Sequence, residues 1–354
     1  MSSLLLKRTE RTRAPSKSAE TGQFVLRLAV VGALLGALMS LSNVSIGAIG
    51  QGLALALVGV GVYISFRVLS FPDLSVDGSF PIGGAVAASL IAAGTAAEWS
   101  IPAALLAGAL VGLCTALIHI LFKIDGLLAS IITMTGAYTF TLRIMGTSNI
   151  PLLNARTVLT PYEDPMREFV INTLGDSFRR QSNNMVEILV FGVIVAAALF
   201  ALNWFMHTQI GLALRAAGKN TQMVRAVGLD DRALIVVGLM LSNGFAGLAG
   251  ALAVQQLGFA DVQMGVGIIV RGLAAVMIGE VLLRPRSIGQ SVFAAVAGMV
   301  AFEIARAWVF AALNLNATDI RLVSALVVLT ALAAPSLIAR WRERRRRRSA
   351  NAQP

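Results

Sequence analysis

An uncharged segment of unusual length lies near the start of the chain: residues 28–66 read LAVVGALLGALMSLSNVSIGAIGQGLALALVGVGVYISF. A helix that crosses the hydrocarbon core of a bilayer needs about 20 mainly apolar residues. The segment is therefore too long for one crossing and has the right length for two. The small and polar residues at 42–45 mark the reversal between the two predicted helices.

The composition of the chain excludes a water-soluble protein. Of its 354 residues, 56% are hydrophobic and only 13% are charged, whereas a soluble domain carries about 25% charged residues. The formal net charge is +11, and much of this excess lies in two tails, at 1–23 and 341–354. Basic tails beside membrane spans set the topology and contact anionic lipid. We expect a membrane protein with lipid contacts and without a nucleic-acid partner.

Further apolar segments follow along the whole chain. Uncharged runs recur at 79–97, 99–122, 126–142, 188–206, 233–260 and 322–339, and segments with isolated charges occupy 262–283 and 287–310. Together with the two helices in 28–66, they predict about ten crossings and both termini on the same side. The expected fold class is all-α, a polytopic transmembrane helical bundle with interrupted or re-entrant helices.

The distribution of Lys and Arg predicts the orientation. Placing both tails in the cytoplasm puts most of the basic residues there, as the positive-inside rule requires. The chain then divides into a basic cytoplasmic tail at 1–23, a transmembrane domain at 24–340 and an Arg-rich cytoplasmic tail at 341–354. The long polar loop at 147–185 is predicted to face outside.

Two places break the helical pattern. Residues 71–81 read FPDLSVDGSFP, with two prolines between apolar runs, and residues 259–267 read FADVQMGVG. Non-helical backbone at membrane depth is tolerated where it is packed in protein or lines a wet cavity. Such interruptions in both halves of a transporter indicate the substrate path. Two ordinary interfacial loops are the alternative.

Six polar residues in or near the apolar segments are candidates for a translocation path, because charged and polar groups within a membrane are costly. They are Asp73, Asp77, Ser79, Asn243, Arg271 and Glu280.

Structural roles compete with this interpretation. Helix capping is an alternative for the residues at 73–79, and a bond to a neighbouring helix is one for Asn243. Glu280 has the spacing to pair with Arg284 at i+4. Glu303 and Arg306, at i,i+3, predict a structural ion pair.

The segment 207–231 carries a regular pattern of glycine, arginine and asparagine. Two short helical turns are predicted around Gly218, with Asn220 as the N-cap of the second and Gly228 as its stop. Met223, Val224 and Val227 are predicted to share one face. A short amphipathic pair of this kind suits docking into a groove on a partner, and a solvated basic loop is the alternative.

This segment resembles the cytoplasmic coupling segment of ATP-binding-cassette (ABC) importer permeases of the branched-chain amino acid and ribose type. The pattern is G-x(3)-R-x-A-G-x-N-x(4)-R-x(2)-G at 211–228. The stretches FPDLSVDGSFPIGGAVAA at 71–88 and NGFAGLAGALAVQQLGFADVQMGVGIIVRGLAAVMIGE at 243–280 are similar to permeases of tryptophan/tyrosine-type uptake systems. We call 207–231 the coupling segment.

The resemblance implies a subunit of the bacterial plasma membrane. It would work with cytoplasmic ABC ATPase subunits, an external solute-binding protein and a second permease subunit, the latter as a homodimer. The coupling residues it implies are Gly211, Arg215, Gly218, Asn220, Arg225 and Gly228. Of these, Arg215 and Arg225 are expected to contact the ATPase, and the glycines are expected to set the backbone shape.

The implied function is translocation of a small solute, with an amino acid as one candidate, driven by ATP hydrolysis in the partner. The chain has no phosphate-binding loop, because the nearest match, around Gly218–Lys219, has Ala213 and Asn220 at required positions. No cofactor, metal site or catalytic residue is therefore expected. A secondary transporter driven by an ion gradient is the main alternative, and a membrane-embedded enzyme lacks the motifs it would need.

Overall fold

The computed structural model describes residues 17–41, 46–153, 155–174, 179–313, 322, 325–326 and 328–330. The Arg-rich tail at 341–354, most of the basic tail at 1–23, the reversal at 42–45 and most of the predicted crossing at 322–339 lie outside this part of the chain.

Twelve α-helices are given bounds in the described part of the chain. They are α1 (Lys17–Leu41), α2 (Gly47–Val62), α3 (Val76–Ala92), α4 (Ala97–Phe122), α5 (Gly126–Met145), α6 (Thr160–Leu174), α7 (Arg179–Met206), α8 (Gln209–Ala217), α9 (Thr221–Ala226), α10 (Asp231–Leu257), α11 (Ile268–Leu283) and α12 (Ile288–Leu313). A π-helical turn at Tyr63–Val68 continues α2.

Six of the described helices are long and apolar enough to cross a membrane: Gly47–Val68, Ala97–Phe122, Gly126–Met145, Gln181–Met206, Asp231–Leu257 and Ile288–Leu313. The apolar part of α1 and the whole of α3 are shorter, and α11 has 16 residues. The structure is thus a largely helical membrane protein, and the number of ten crossings stays a prediction.

The helix α10 lies at the centre of the bundle and packs against α2, α3 and α4. Small residues allow this close packing. A Cβ atom at Gly108 or Gly112 of α4 would overlap α10 backbone atoms, and one at Gly83 of α3 would overlap Gly247. Helices in membranes associate closely where such residues face each other. The helices α4, α5 and α7 expose large apolar side chains on their outer surfaces, as lipid-facing helices do.

A two-stranded antiparallel sheet departs from the all-α expectation. Strand β1 (Asn149–Pro151) pairs with β2 (Phe259–Asp261), with Ile150 opposite Ala260. The amide of Val158 also donates to the side chain of Gln255 at 2.8 Å. The loop at 147–185, which contains α6, is thereby attached to the end of α10 that lies away from the coupling segment.

Both predicted breaks are present, and the first is shorter than expected. The backbone leaves the helical conformation at 69–75 and at 258–267. Pro81, predicted to lie in the break, lies inside α3. Proline cannot donate to the carbonyl of Asp77 one turn earlier, and the backbone of Gly265 packs closely against that carbonyl.

Candidate functional site

The coupling segment forms the two predicted short helices, α8 and α9. The side chain of Asn220 accepts a hydrogen bond from the amide of Met223 at 3.0 Å, which confirms it as the N-cap of α9. After α9, Gly228 has a φ of +83°, a left-handed conformation that favours glycine and ends the helix. Gly211 lies buried in the first turn of α8, where its amide donates to Thr208.

Gly218 joins the coupling segment to the core of the bundle. A Cβ atom at this position would overlap the carbonyl oxygen of Val68, at the end of the π-helical turn. Leu214 of α8 is fully buried beside it. The end of α8 therefore packs directly against the π-helical turn that continues α2, which explains why the pattern requires glycine here.

Arg225 connects α9 to α10. Its guanidinium donates from two nitrogens to the two carboxylate oxygens of Asp231, at 2.8 and 2.7 Å. These hydrogen bonds raise the pKa of Arg225 above its ordinary value. In the structure Arg225 thus has a partner within the chain, while Arg215 lies half-buried in the last turn of α8.

The sequence predicted that Met223, Val224 and Val227 share one face; in the structure they differ in exposure, and Val227 follows α9 as its C-cap. Val224 is buried, whereas Met223 is 49% and Val227 is 72% exposed. One of the three side chains holds α9 on the bundle, and the other two project outward. Lys219, in the same coupling segment, is also exposed, so the segment presents both apolar and basic side chains to its surroundings.

Four buried polar residues form a cluster in the middle of the bundle. The side chain of Asn243 donates to the carboxyl of Asp73 at 2.7 Å and accepts hydrogen bonds from the hydroxyls of Ser75 and Ser79. The hydroxyl and the amide of Ser75 donate to Asp73 in turn. We call these four residues the Asp73 network.

This network fixes the loop at 69–75 to the middle of α10. Asn243 lies roughly 18 Å along α10 from Asp231, at the rise of an α-helix. All four side chains are fully buried. Asp73, Ser79 and Asn243 therefore make contacts between elements and do not face a cavity in this structure.

Asp77 caps a helix, but not the one that the sequence indicated. Its carboxylate accepts hydrogen bonds from the amides of Gly267 at 3.0 Å and Ile269 at 2.8 Å, at the beginning of α11. An acidic group at a helix N-terminus is stabilised by the free amides and the helix dipole. The beginnings of α3 and α11 thus meet through this side chain.

Glu280 pairs with a different residue from the predicted Arg284. Its carboxylate binds the guanidinium of Arg67, in the π-helical turn. The backbone of Arg284 turns into a left-handed conformation at the end of α11, with a φ of 46°. The predicted pair of Glu303 and Arg306 is confirmed, at 2.6 Å.

Arg271 lines a cavity of about 740 Å³ between α2, α3, α10 and α11. Phe80, Met264 and other apolar side chains form most of its wall. The cavity reaches β2 and the end of α10, so it opens at the end of the bundle opposite the coupling segment. Of the six predicted path residues, Arg271 alone lines this cavity.

Sequence reasoning missed four polar residues of the cavity: Gln51, Gln256, Asp261 and Gln263. Gln51 accepts a hydrogen bond from Arg306 at 2.7 Å, and Gln256 donates to Glu187 at 2.9 Å. The position of Asp261 and Gln263 within the predicted break at 259–267 was a signal that could have found them. Gln51 and Gln256 carry no local signal, because their contacts come from distant helices.

The described residues contain no group of three or more His, Cys, Asp or Glu side chains that could hold a metal ion. The charged side chains of the interior are instead bound to amides, hydroxyls and guanidinium groups, Arg271 excepted.

Comparison with known proteins gives several matches over most of the chain. Residues 43–333 match the family described as branched-chain amino acid transport system / permease component. A tyrosine transport system permease protein of Clostridioides difficile is 33% identical over 290 residues, which cover 81% of this chain and 90% of that protein.

More distant relatives include sugar permeases. The ribose import permease protein of Escherichia coli is 26% identical over 248 residues, covering 69% of this chain and 72% of that protein. The D-allose transport system permease protein of the same species is 28% identical over 231 residues, covering 63% of each chain. No solved structure matches the chain.

Proposed function

Because the chain belongs to the branched-chain amino acid transport system / permease component family, we propose that it moves an amino acid through the cavity beside Arg271, driven by ATPase subunits that dock on its coupling segment. At the level of the family, the chain is the permease subunit of an ABC importer and a multi-pass protein of the plasma membrane. The substrate, the docking residues and the assembly are parts of the proposal.

The observation that carries the proposal is the position of two features at opposite ends of α10. The coupling segment packs against its beginning, and the cavity opens beside its end. The helix has 27 residues, which is about 40 Å at the rise of an α-helix and exceeds the thickness of the hydrocarbon core. A subunit that links ATP hydrolysis on one side to a solute on the other needs this arrangement.

Contacts of the coupling segment with α2 and α10 support a mechanical connection between this segment and the cavity. The coupling segment reaches α2 through Gly218 and α10 through the bond between Arg225 and Asp231. Both helices line the cavity farther along. Movement of the coupling segment with the ATPase would therefore shift two walls of the cavity together, as rocking of packed elements does in transporters.

The surface proposed for the ATPase is the exposed part of the coupling segment. Met223 and Val227 supply apolar contact area, and Lys219 and Arg215 supply basic groups at its margin. An exposed apolar pair with a polar margin is typical of a docking site. The proposed assembly also includes a second copy of the chain and an external solute-binding protein, which would meet the loop at 147–185.

An amino acid is the proposed substrate class. The Clostridioides difficile relative, whose name includes tyrosine transport, is matched over 90% of its length. The sugar permeases share lower identity over a smaller part of this chain.

The test is reconstitution of the chain with a candidate ABC ATPase and a candidate solute-binding protein. Co-purification and ATP hydrolysis in proteoliposomes are measured for the wild type, for Val227→Asp and for Leu153→Asp. Val227 and Leu153 are 72% and 84% exposed, but they lie at opposite ends of the molecule. A charge at Val227 is expected to reduce ATPase association about tenfold or more, as loss of a central apolar contact does, and the control is expected to bind normally.

Two results would contradict the proposal. In the first, no ATPase associates and the purified chain moves solute along an ion gradient alone, which makes it a secondary transporter. In the second, both aspartate variants bind the ATPase as well as the wild type does, which removes the coupling segment from the docking surface.

A further inference from the structure

Arg271 is a charged residue of the cavity, and its contacts within the chain do not explain why a cation lies there. Arg271 lies in the first turn of α11, roughly 18 Å along the helix from Leu283 at its other end. A cation inside the bundle of a membrane protein is costly and indicates a group that it binds. Within the described residues, the side chain of Arg271 makes neither a hydrogen bond nor an ion pair.

The acidic groups around Arg271 are bound to other donors. Asp77, Glu303 and Arg306 lie within electrostatic range of its guanidinium. Asp77 holds the two amides at the start of α11, and Glu303 holds Arg306 through Oε2, while the buried Oε1 of Glu303 has no hydrogen-bond partner in the described part of the chain. Arg271 lines the cavity and makes no hydrogen bond to either carboxylate, so that its N–H donors are available to a ligand there.

A carboxylate lines the same cavity at its mouth. One oxygen of Asp261 accepts a hydrogen bond from the amide of Gln263 at 2.7 Å. Within the part of the chain that the structure describes, Asp261 forms no ion pair. Its position is fixed because β2 pairs with β1, where Asp261 lies opposite Asn149. The cavity thus has a fixed anion as well as a fixed cation.

The charged groups in and around the cavity favour a zwitterionic ligand over a simple anion. Two guanidinium groups, of Arg271 and Arg306, accompany three carboxylates, of Asp77, Glu303 and Asp261. A simple anion would gain little attraction in such surroundings. A ligand with both charges can satisfy Arg271 and Asp261 at once, without adding net charge to a region of low dielectric constant.

The apolar residues of the cavity wall would contact the uncharged part of the ligand. Phe80, Phe259, Leu55 and Met264 contribute apolar and aromatic surface. We propose that Arg271 binds the carboxylate and Asp261 the ammonium group of an α-amino acid, whose apolar or aromatic side chain packs on this wall. A sugar offers neither charge and would leave both groups unpaired, which is how polar sites reject analogues that lack a group.

This inference rests on the proposed transport function and names the residues that determine its specificity. Its test needs no ATPase, so that the inference and the proposed transport function can fail separately. The unfolding temperature of the purified chain is measured with increasing L-phenylalanine, with 2-phenylethylamine, with 3-phenylpropionate and with ribose. A ligand that binds the folded state raises this temperature, and the concentration needed for a given increase falls as the affinity rises.

For the wild type, phenylalanine is expected to bind about tenfold or more tightly than either half-ligand, since each lacks one charge-assisted contact. Arg271→Gln is expected to remove the preference for phenylalanine over phenylethylamine. Asp261→Asn is expected to remove the preference over phenylpropionate. The control Arg143→Gln, at an exposed site on α5, is expected to keep both preferences.

Three results would overturn the inference: equal binding of phenylalanine and its half-ligands by the wild type, tighter binding of ribose, or unchanged preferences in both variants. If Arg271→Gln does not fold, Arg271→Lys retains the cation and is expected to retain the preference for a carboxylate. The four ligands on the wild type decide the question in any case. ATP hydrolysis in the reconstituted complex reports separately on the transport function.

Discussion

At the residue scale, the Asp73 network combines four polar side chains that are fully buried. Asn243 is its centre, because its amide donates to Asp73 and its carbonyl oxygen accepts from two serines. A buried polar group left without a partner costs about 1–3 kcal/mol. The network therefore holds the loop at 69–75 on α10 only as long as every member is satisfied, and this makes the loop position specific.

Replacement of Asn243 by alanine is expected to lower the unfolding temperature of the purified chain clearly. It removes the donor to Asp73 Oδ2, at a cost of about 1–3 kcal/mol, and the acceptor that the two serine hydroxyls share. The hydroxyl of Ser75 keeps Asp73 as a partner, and that of Ser79 keeps the carbonyl of Ser75. The matched control is Ser242→Ala, one residue earlier in α10. Ser242 donates to the carbonyl of Gly61, which also accepts from Ser65, so that this carbonyl keeps a partner. A decrease for the control as large as that for Asn243→Ala would disagree with this account.

At the scale of elements, the helices α3 and α11 begin inside the bundle and not at its surface. They have 17 and 16 residues. The amides of a helix N-terminus need acceptors, and inside a membrane protein only protein groups can supply them. Asp77, on the first turn of α3, supplies two of them to α11. The contact joins the elements that carry the two sequence breaks.

Asp77→Ala is expected to increase hydrogen exchange of the amides at 267–269, measured by mass spectrometry. Removal of a capping carboxylate costs a helix about 0.5–2 kcal/mol, which opens its first turn more often. Asp77→Asn is expected to have a smaller effect, because the amide oxygen can still accept one hydrogen bond. Asp125→Ala serves as the control: Asp125 caps α5 locally through the amide of Leu127, so faster exchange should stay near 127. Unchanged exchange at 267–269 in Asp77→Ala would remove Asp77 as the cap of α11.

At the scale of the whole molecule, the bundle has two different ends. One carries the coupling segment and the pair of Arg67 and Glu280. The other carries the cavity mouth, the small sheet and the loop at 147–185, which is attached to α10 through β2 and Gln255. The distribution of basic residues predicts that the first end is cytoplasmic.

Single cysteines are expected to report this orientation. The chain has one cysteine, Cys114, so Cys114→Ser provides a background without thiols. In that background, a membrane-impermeant maleimide added to intact cells is expected to label Leu153→Cys and to leave Val227→Cys unlabelled. Both positions are exposed, and permeabilised cells should show labelling of each. Labelling of Val227→Cys in intact cells would reverse the predicted orientation.

The sequence by itself determined the features that depend on neighbouring residues. The long apolar runs established a membrane protein, since the cost of placing charge in a bilayer is a property of each segment alone. Asn220 and Gly228 were predictable as cap and stop, because capping involves backbone groups within a few residues. The family resemblance followed from the same local patterns, and both breaks were visible as interruptions of them.

Only the tertiary structure decided which polar groups meet. Asn243 binds Asp73, which lies 170 residues earlier, and Glu280 binds Arg67 rather than the nearby Arg284. Nothing in the sequence specifies such pairs, because they depend on the register at which helices pack and on glycines that let backbones approach. The same register brings Arg271 and Asp261 to one cavity and takes Asp73, Ser79 and Asn243 away from it.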